Sequence, residues 1–117
     1  MNEDLIIRTK KFAIEIIQIC DKLPKSITFN VLTRQLIRCS TSIGANYRAA
    51  RRAKSEADFI NKLKIVEEET DEAMYFLELL KEIDNNNTND IGNLIAEANE
   101  LLAIFVASIK TAKSKNQ

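Results

Sequence analysis

A chain that folds into sheets must turn often, and this one has little to turn with. It holds two glycines and one proline in 117 residues, against ordinary shares of about 7% and 5%. That scarcity implies long uninterrupted helices and an all-α fold. At this length residues 1–117 form a single domain, able to bury roughly two-thirds of its unfolded surface. Pro24 disfavours the α conformation at Leu23 and cannot continue a helical ladder. Ser55-Glu-Ala-Asp58 approximates a capping box, with Asp where Glu or Gln is usual. Asp84-Asn-Asn-Asn-Thr-Asn-Asp90 is a run of turn and cap formers. These breaks predict helices over about 4–22, 28–53, 56–84 and 90–113. Asn2 to Asp4 supply caps and first-turn acids for the first helix, while Ser26, Thr28 and Asn30 all suit the second. Lys110, Lys113 and Lys115 suit the last helix's C-terminal dipole, and the residues after it should fray. Four helices with short connections predict an antiparallel up-down-up-down bundle.

At 100° per residue, Leu32, Leu36, Ser40, Ile43, Tyr47 and Ala50 share one narrow face of the second helix. Arg34, Arg38, Thr41, Ala45, Arg48 and Arg52 share the opposite one, giving a core stripe and an arginine stripe back to back. Gly44 lies mid-helix, where glycine costs about 1 kcal/mol against alanine. With Ser40, Ser42 and Ala45 nearby, it marks tight helix packing. Helix one carries Leu5, Phe12, Ile16, Ile19 and Leu23 on one stripe, with Ile6, Ala13, Ile14 and Ile17 on a second. This wide arc fits either a deeply buried helix or one that also meets another subunit. Helix three has a core stripe of Phe59, Leu63, Val66, Thr70, Met74 and Leu77. Opposite lie Ile65, Phe76, Leu79 and Ile83, with Tyr75 beside them, a load a solitary bundle would not leave wet. Helix four has Ile91, Leu94, Ala98, Leu102, Phe105 and Ile109 on one face. The expected oligomer interface is therefore Ile6, Ile14, Ile17, Ile65, Tyr75, Phe76, Leu79 and Ile83.

No apolar run of 18 residues is read in the sequence, so no segment is expected to span a membrane. The acidic Met1-Asn-Glu-Asp4 start argues against a signal peptide. Cys20 and Cys39 fit two small buried hydrophobes in a reducing cytosol better than a Cys20–Cys39 bridge. Histidine is absent, which removes the usual general base, zinc ligand and pH switch. Ser40, Ser42, Cys39 and Tyr47 therefore have only Lys54 or Lys62 to activate them, in no recognisable Ser–Lys pattern. Glu67 and Asp71 sit at i, i+4 and suit at most a weakly held hydrated ion, so no metal or cofactor is expected. Asn46 and Tyr47 are expected to hydrogen-bond across the bundle, since buried polar groups need partners.

Formal charge is zero, but its distribution is uneven. From Ser26 to Lys54 there are six basic residues and no acidic one; from Glu56 to Asp84 there are ten acids and three lysines. Arg34, Arg38, Arg48, Arg51, Arg52 and Lys54 could meet nucleic-acid phosphates, with steep salt dependence and little base specificity. Pairing with helix three and solvation is the plainer account, and an acidic protein partner is a third. Tyr47 falls on the core side, so no stacking platform interleaves the arginines.

Three segments carry a family resemblance: Thr41-Ser-Ile-Gly-Ala-Asn-Tyr-Arg48, Ala57-Asp-Phe-Ile-Asn-Lys-Leu-Lys-Ile65 and Tyr75-Phe-Leu-Glu-Leu-Leu80. In order and spacing they resemble the "four helix bundle protein" family, first noticed as reading frames inside intervening sequences of large-subunit ribosomal RNA genes and often labelled ribosomal-protein-like. The likeness spans nearly the whole chain. It departs at Ala49, where the family usually has Glu, and at Phe76, where it usually has Trp. Without a Glu at 49, any ion pair that residue makes with an arginine is missing. The resemblance implies a four-helix bundle, a cyclic homopentamer and a packing role for Ser42, Gly44, Ala45, Asn46 and Tyr47. One branch of relatives forms a positively charged ring that assists a reverse transcriptase, so a nucleic-acid enzyme is an implied partner class, although this chain is neutral. The expectation is a cytoplasmic, non-enzymatic homo-oligomer that associates with RNA or DNA through helix two; a hub that binds only protein is the alternative.

Overall fold

A computed structural model describes residues 4–115. Over these residues the chain forms four helices and no strand: α1 (Leu5–Lys22), α2 (Ile27–Arg51), α3 (Glu56–Ile83) and α4 (Thr88–Lys115). Side-chain caps set three of the starts. Asp4 Oδ1 accepts the Ile6 N–H at 2.9 Å, Ser26 Oγ that of Phe29 at 3.2 Å, and Ser55 Oγ that of Asp58 at 3.1 Å. Ser26, rather than Thr28 or Asn30, therefore caps α2. Asn2 and Glu3 lie outside the described residues, as do Asn116 and Gln117 at the other end. The capping box at Ser55 is only half formed, because Asp58 Oδ2 accepts from Lys54 N–H at 3.2 Å. Between α3 and α4, the buried Asp84 accepts from the backbone and side-chain N–H groups of Asn87 at 3.1 and 2.9 Å. The Asn87 carbonyl then takes the Ile91 N–H at 3.0 Å. That starts α4 at Thr88, two residues earlier than the asparagine run suggests.

Each helix packs on its chain neighbours and α1 closes against α4, while the diagonal pairs, α1 with α3 and α2 with α4, keep their backbones apart. The result measures 49 × 25 × 21 Å, its long axis set by two 28-residue helices of about 42 Å each. One core runs its length, with Phe12, Leu36, Ile43, Leu63, Leu77, Leu101 and Phe105 at its centre. The buried stripe of α3 is Ile60, Leu63, Val66, Thr70, Ala73, Leu77 and Leu80. Phe59 and Met74, expected in that stripe, are half-buried at its edge. The shift follows from α3 packing against both α2 and α4: the buried arc faces between two neighbours, and small Ala73 fits where they come close. On α4, Leu101 replaces Leu102 in the core. That helix also corrects the reading that no segment is apolar enough to span a membrane, since its best 18-residue window has a mean hydropathy of 1.3. Ile91, Leu94, Leu101, Phe105 and Ile109 of this helix are buried in the bundle core, while 28% of the window as a whole is buried.

At Gly44, α1 and α2 approach closely. A Cβ there would stand 3.2 Å from Thr9 Oγ1 and 3.7 Å from the Thr9 carbonyl carbon. Thr9 is itself fully buried, its hydroxyl donating to the Leu5 carbonyl at 2.7 Å. The thinner α1–α4 seam is held by charge: Arg8 donates two bonds to Glu97 at 2.7 and 2.8 Å and one to Glu100 at 2.7 Å. Those carboxylates raise the Arg8 pKa further above its already high ordinary value.

Candidate nucleic-acid interface on the second helix

The 3.6-residue period places Arg34, Arg38, Thr41, Ala45, Arg48 and Arg52 on one face of α2, and all six are solvent-exposed. Ile27 and Val31 extend the same stripe toward the N-terminus and are exposed by 85% and 53%; their period is visible in the sequence, but apolar side chains carry no charge signal to mark them as part of it. Arg51 lies off the stripe, its guanidinium 6.0 Å from the centre of the Tyr47 ring and 3.7 Å from the Asp4 carboxylate.

Pairing with α3 occurs at one arginine of the stripe. Arg38 donates to Glu72 at 2.7 Å, to Glu69 at 3.3 Å and to Gln35 at 3.1 Å. The Glu72 bond raises its pKa further. Among the described residues no carboxylate lies within ion-pair distance of the Arg34, Arg48 or Arg52 side chains, nor of the Lys54 ammonium. The acidic cluster of α3 thus neutralises the middle of the stripe and leaves its C-terminal end positive.

That end opens into a groove between the last turns of α2 and the first turns of α3, lined by Ala45, Arg48, Ala49, Arg52, Lys54, Asp58 and Lys62. Its one carboxylate, Asp58, accepts from Lys62 Nζ at 2.6 Å and from the Lys54 N–H. Both bonds hold its pKa below the ordinary value, the lysine chiefly. The sequence offers Lys62 only as a general base; its i, i+4 spacing from Asp58 is the signal that it belongs here.

The segment read as a packing motif divides between two surfaces. Gly44 meets α1, and Tyr47 is buried with its ring 5.9 Å from that of Phe105. Ala45 is exposed in the basic groove and does not pack. The expected cross-bundle bond from Asn46 is corrected: its amide donates to the Ser42 carbonyl at 3.0 Å and the Ser42 hydroxyl at 2.8 Å, within α2. A helical residue reaches its own i−4 partner more cheaply than a neighbouring helix.

Of the residues assigned to an oligomer interface, Ile14, Ile17, Ile65, Tyr75 and Ile83 are exposed, and Ile7 joins them. Ile6 and Phe76 instead pack half-buried against their own core, and Leu79 is half-buried. Tyr75 meets Phe76 edge-on at 5.8 Å. Cys20 and Cys39 are free buried thiols, and burial pushes their pKa values up to about 11 and about 12. Ser40 and Tyr47 are buried as well. Among the described residues no three metal-ligating side chains are grouped for an ion.

The model of the 23S rRNA-intervening sequence protein family matches residues 3–107. The crystal structure of a protein of unknown function from the S23 ribosomal protein family of Bacteroides thetaiotaomicron superposes with a TM-score of 0.83 at 33% identity, over 92% of this chain and 99% of that one. No curated protein matches the chain. A match across most of the described residues places the chain in the 23S rRNA-intervening sequence protein family.

Proposed function

We propose that the chain is a cytoplasmic, non-enzymatic scaffold that associates with RNA or DNA through the basic face of α2. In this reading the helices run antiparallel, up-down-up-down, and the bundles close into a cyclic homo-oligomer, a pentamer by family resemblance. The observation that carries the nucleic-acid part is the set of side chains at Arg34, Arg48, Arg52 and Lys54 that pair with no carboxylate among the described residues, beside an acidic helix whose ion pairs to α2 go to Arg38. Connections of four residues or fewer between successive helices support the antiparallel order. The exposed isoleucines of α1 and α3, with Tyr75, supply the apolar surface an assembly buries. A repeated ring of basic faces multiplies an attraction that one neutral subunit exerts only locally. The absence of histidine from the sequence supports a binding rather than a catalytic role.

Gel shifts with RNA and duplex DNA at low and moderate salt test the reading, with light scattering for the assembly. Complexes that weaken steeply with salt and on combined Arg34, Arg48 and Arg52→Ala substitution support it; no complex at low salt rejects it. A monomer in solution rejects the ring. A second reading, a hub that binds only protein, is favoured by the exposed Ile27 and Val31, which extend the same α2 face with apolar rather than phosphate-seeking side chains.

A further inference from the structure

We propose that the groove between the end of α2 and the start of α3 is the phosphate-gripping part of that face, with Arg48, Arg52, Lys54 and Lys62 as direct ligands of the nucleic-acid backbone and Asp58 as a built-in competitor. This inference rests on the nucleic-acid reading and narrows it to one corner of the bundle. Four cations and one carboxylate line the groove, whereas Arg38, mid-stripe, already has two carboxylates. Arg34 stands apart, with neutralised Arg38 on one side and apolar Val31 on the other. Arg48 and Arg52 are one helical turn apart, about 6 Å along the axis, and their guanidinium forks suit phosphate oxygens bidentately. Ala45 and Ala49 keep the floor between them low.

The lining also selects among anionic partners. It contains no aromatic side chain, so bases have nothing to stack on and the contact is to backbone. It contains no large apolar side chain either, which the centre of a protein–protein interface ordinarily supplies. Glu56, the other acid of the first turn of α3, lines a separate groove with Phe59. Asp58 thus sets the resting state: it holds Lys62 at 2.6 Å, and an incoming phosphate must draw that ammonium away.

Fluorescence anisotropy of labelled single-stranded RNA and duplex DNA across a salt series tests this on the full-length protein. Arg48→Ala, Arg52→Ala and Lys62→Ala should each weaken binding. Each should also lower the slope of log affinity against log salt by about 0.7 on single strands or about 0.9 on duplex. Arg38→Ala should leave both unchanged. Asp58→Asn should tighten binding, by up to about fivefold at low salt, the size of a surface ion pair. That gain is one a misfolded variant could not produce. If Arg34→Ala and Arg38→Ala weaken binding while the groove variants do not, the groove assignment falls and the wider reading stands. If polyglutamate displaces RNA as well as unlabelled RNA does, the groove is a carboxylate site and the assignment falls. If the wild-type protein binds neither RNA nor DNA, both fall together.

Discussion

Replacing Gly44 by alanine sets two opposed terms against each other at one atom. Alanine in the middle of a helix is favoured over glycine by about 1 kcal/mol. The added methyl, however, stands 3.2 Å from Thr9 Oγ1 and 3.6 Å from Thr9 Cβ. Thr9 cannot simply swing away, because its hydroxyl is fixed on the Leu5 carbonyl at 2.7 Å and reaches that of Ile6 at 3.3 Å. Relief therefore requires α1 to move off α2 by a few tenths of an ångström, loosening the packing of neighbouring Phe12 and Ile43. Overpacking of this kind costs about 1 kcal/mol or more, so Gly44→Ala should be neutral to slightly destabilising in the wild-type background. In a Thr9→Ala background the obstructing hydroxyl is gone, and the same substitution should stabilise by about 1 kcal/mol. Urea unfolding followed by helical circular dichroism, at one fixed protein concentration because assembly shifts apparent stability, gives the four corners of the cycle. The expected coupling is about 1 kcal/mol. Additivity within about 0.3 kcal/mol, or a full gain from Gly44→Ala alone, would refute the claim that glycine is there for the close approach of α1.

Ser40 is fully buried and its hydroxyl has no hydrogen-bond partner among the described residues; Ser40→Ala should raise stability by about 1 kcal/mol, read as a higher urea midpoint at unchanged slope. Both thiols have folded pKa values above the ordinary 9.0, at about 11 for Cys20 and about 12 for Cys39. The unfolded chain therefore loses these protons first, and stability should be intact below pH 9 and fall as pH rises to about 12; a flat profile there contradicts the burial account. A thiol reagent should modify both cysteines in urea and neither in the native state. Arg8→Lys keeps the charge on the α1–α4 seam but loses the fork that holds Glu97 at two points; it should cost about 1 kcal/mol and show in thermal melts.

Much of the fold is legible because local chemistry decides it. Pro24, Ser26 and Ser55 punctuate the chain within two or three residues of each break, and a 3.6 period sorts α2 into a buried and an exposed face with no tertiary information. Where neighbours decide, the sequence is silent. The centre of the buried arc on α3 depends on its packing between two other helices, so Ile60, Ala73 and Leu80 outrank Phe59 and Met74. The choice of Glu69 and Glu72 as partners for Arg38 depends on the register of α3 against α2, and composition could only offer wholesale neutralisation. Arg8 with Glu97 and Glu100 joins residues some ninety positions apart, and nothing local hints at it. The basic groove is half visible in the sequence: the arginines are readable as a stripe, but that Lys62 and Asp58 complete it follows only from the packing of α3 against α2.

The most direct test of the central claim is the affinity of the purified protein for a short single-stranded RNA, measured over a range of salt. Phosphate contact by Arg48, Arg52, Lys54 and Lys62 predicts a log–log slope of about −3 per engaged subunit, at about −0.7 per contact, and a further loss of affinity when those residues are replaced. A salt-independent affinity, or none at the lowest salt, would contradict it.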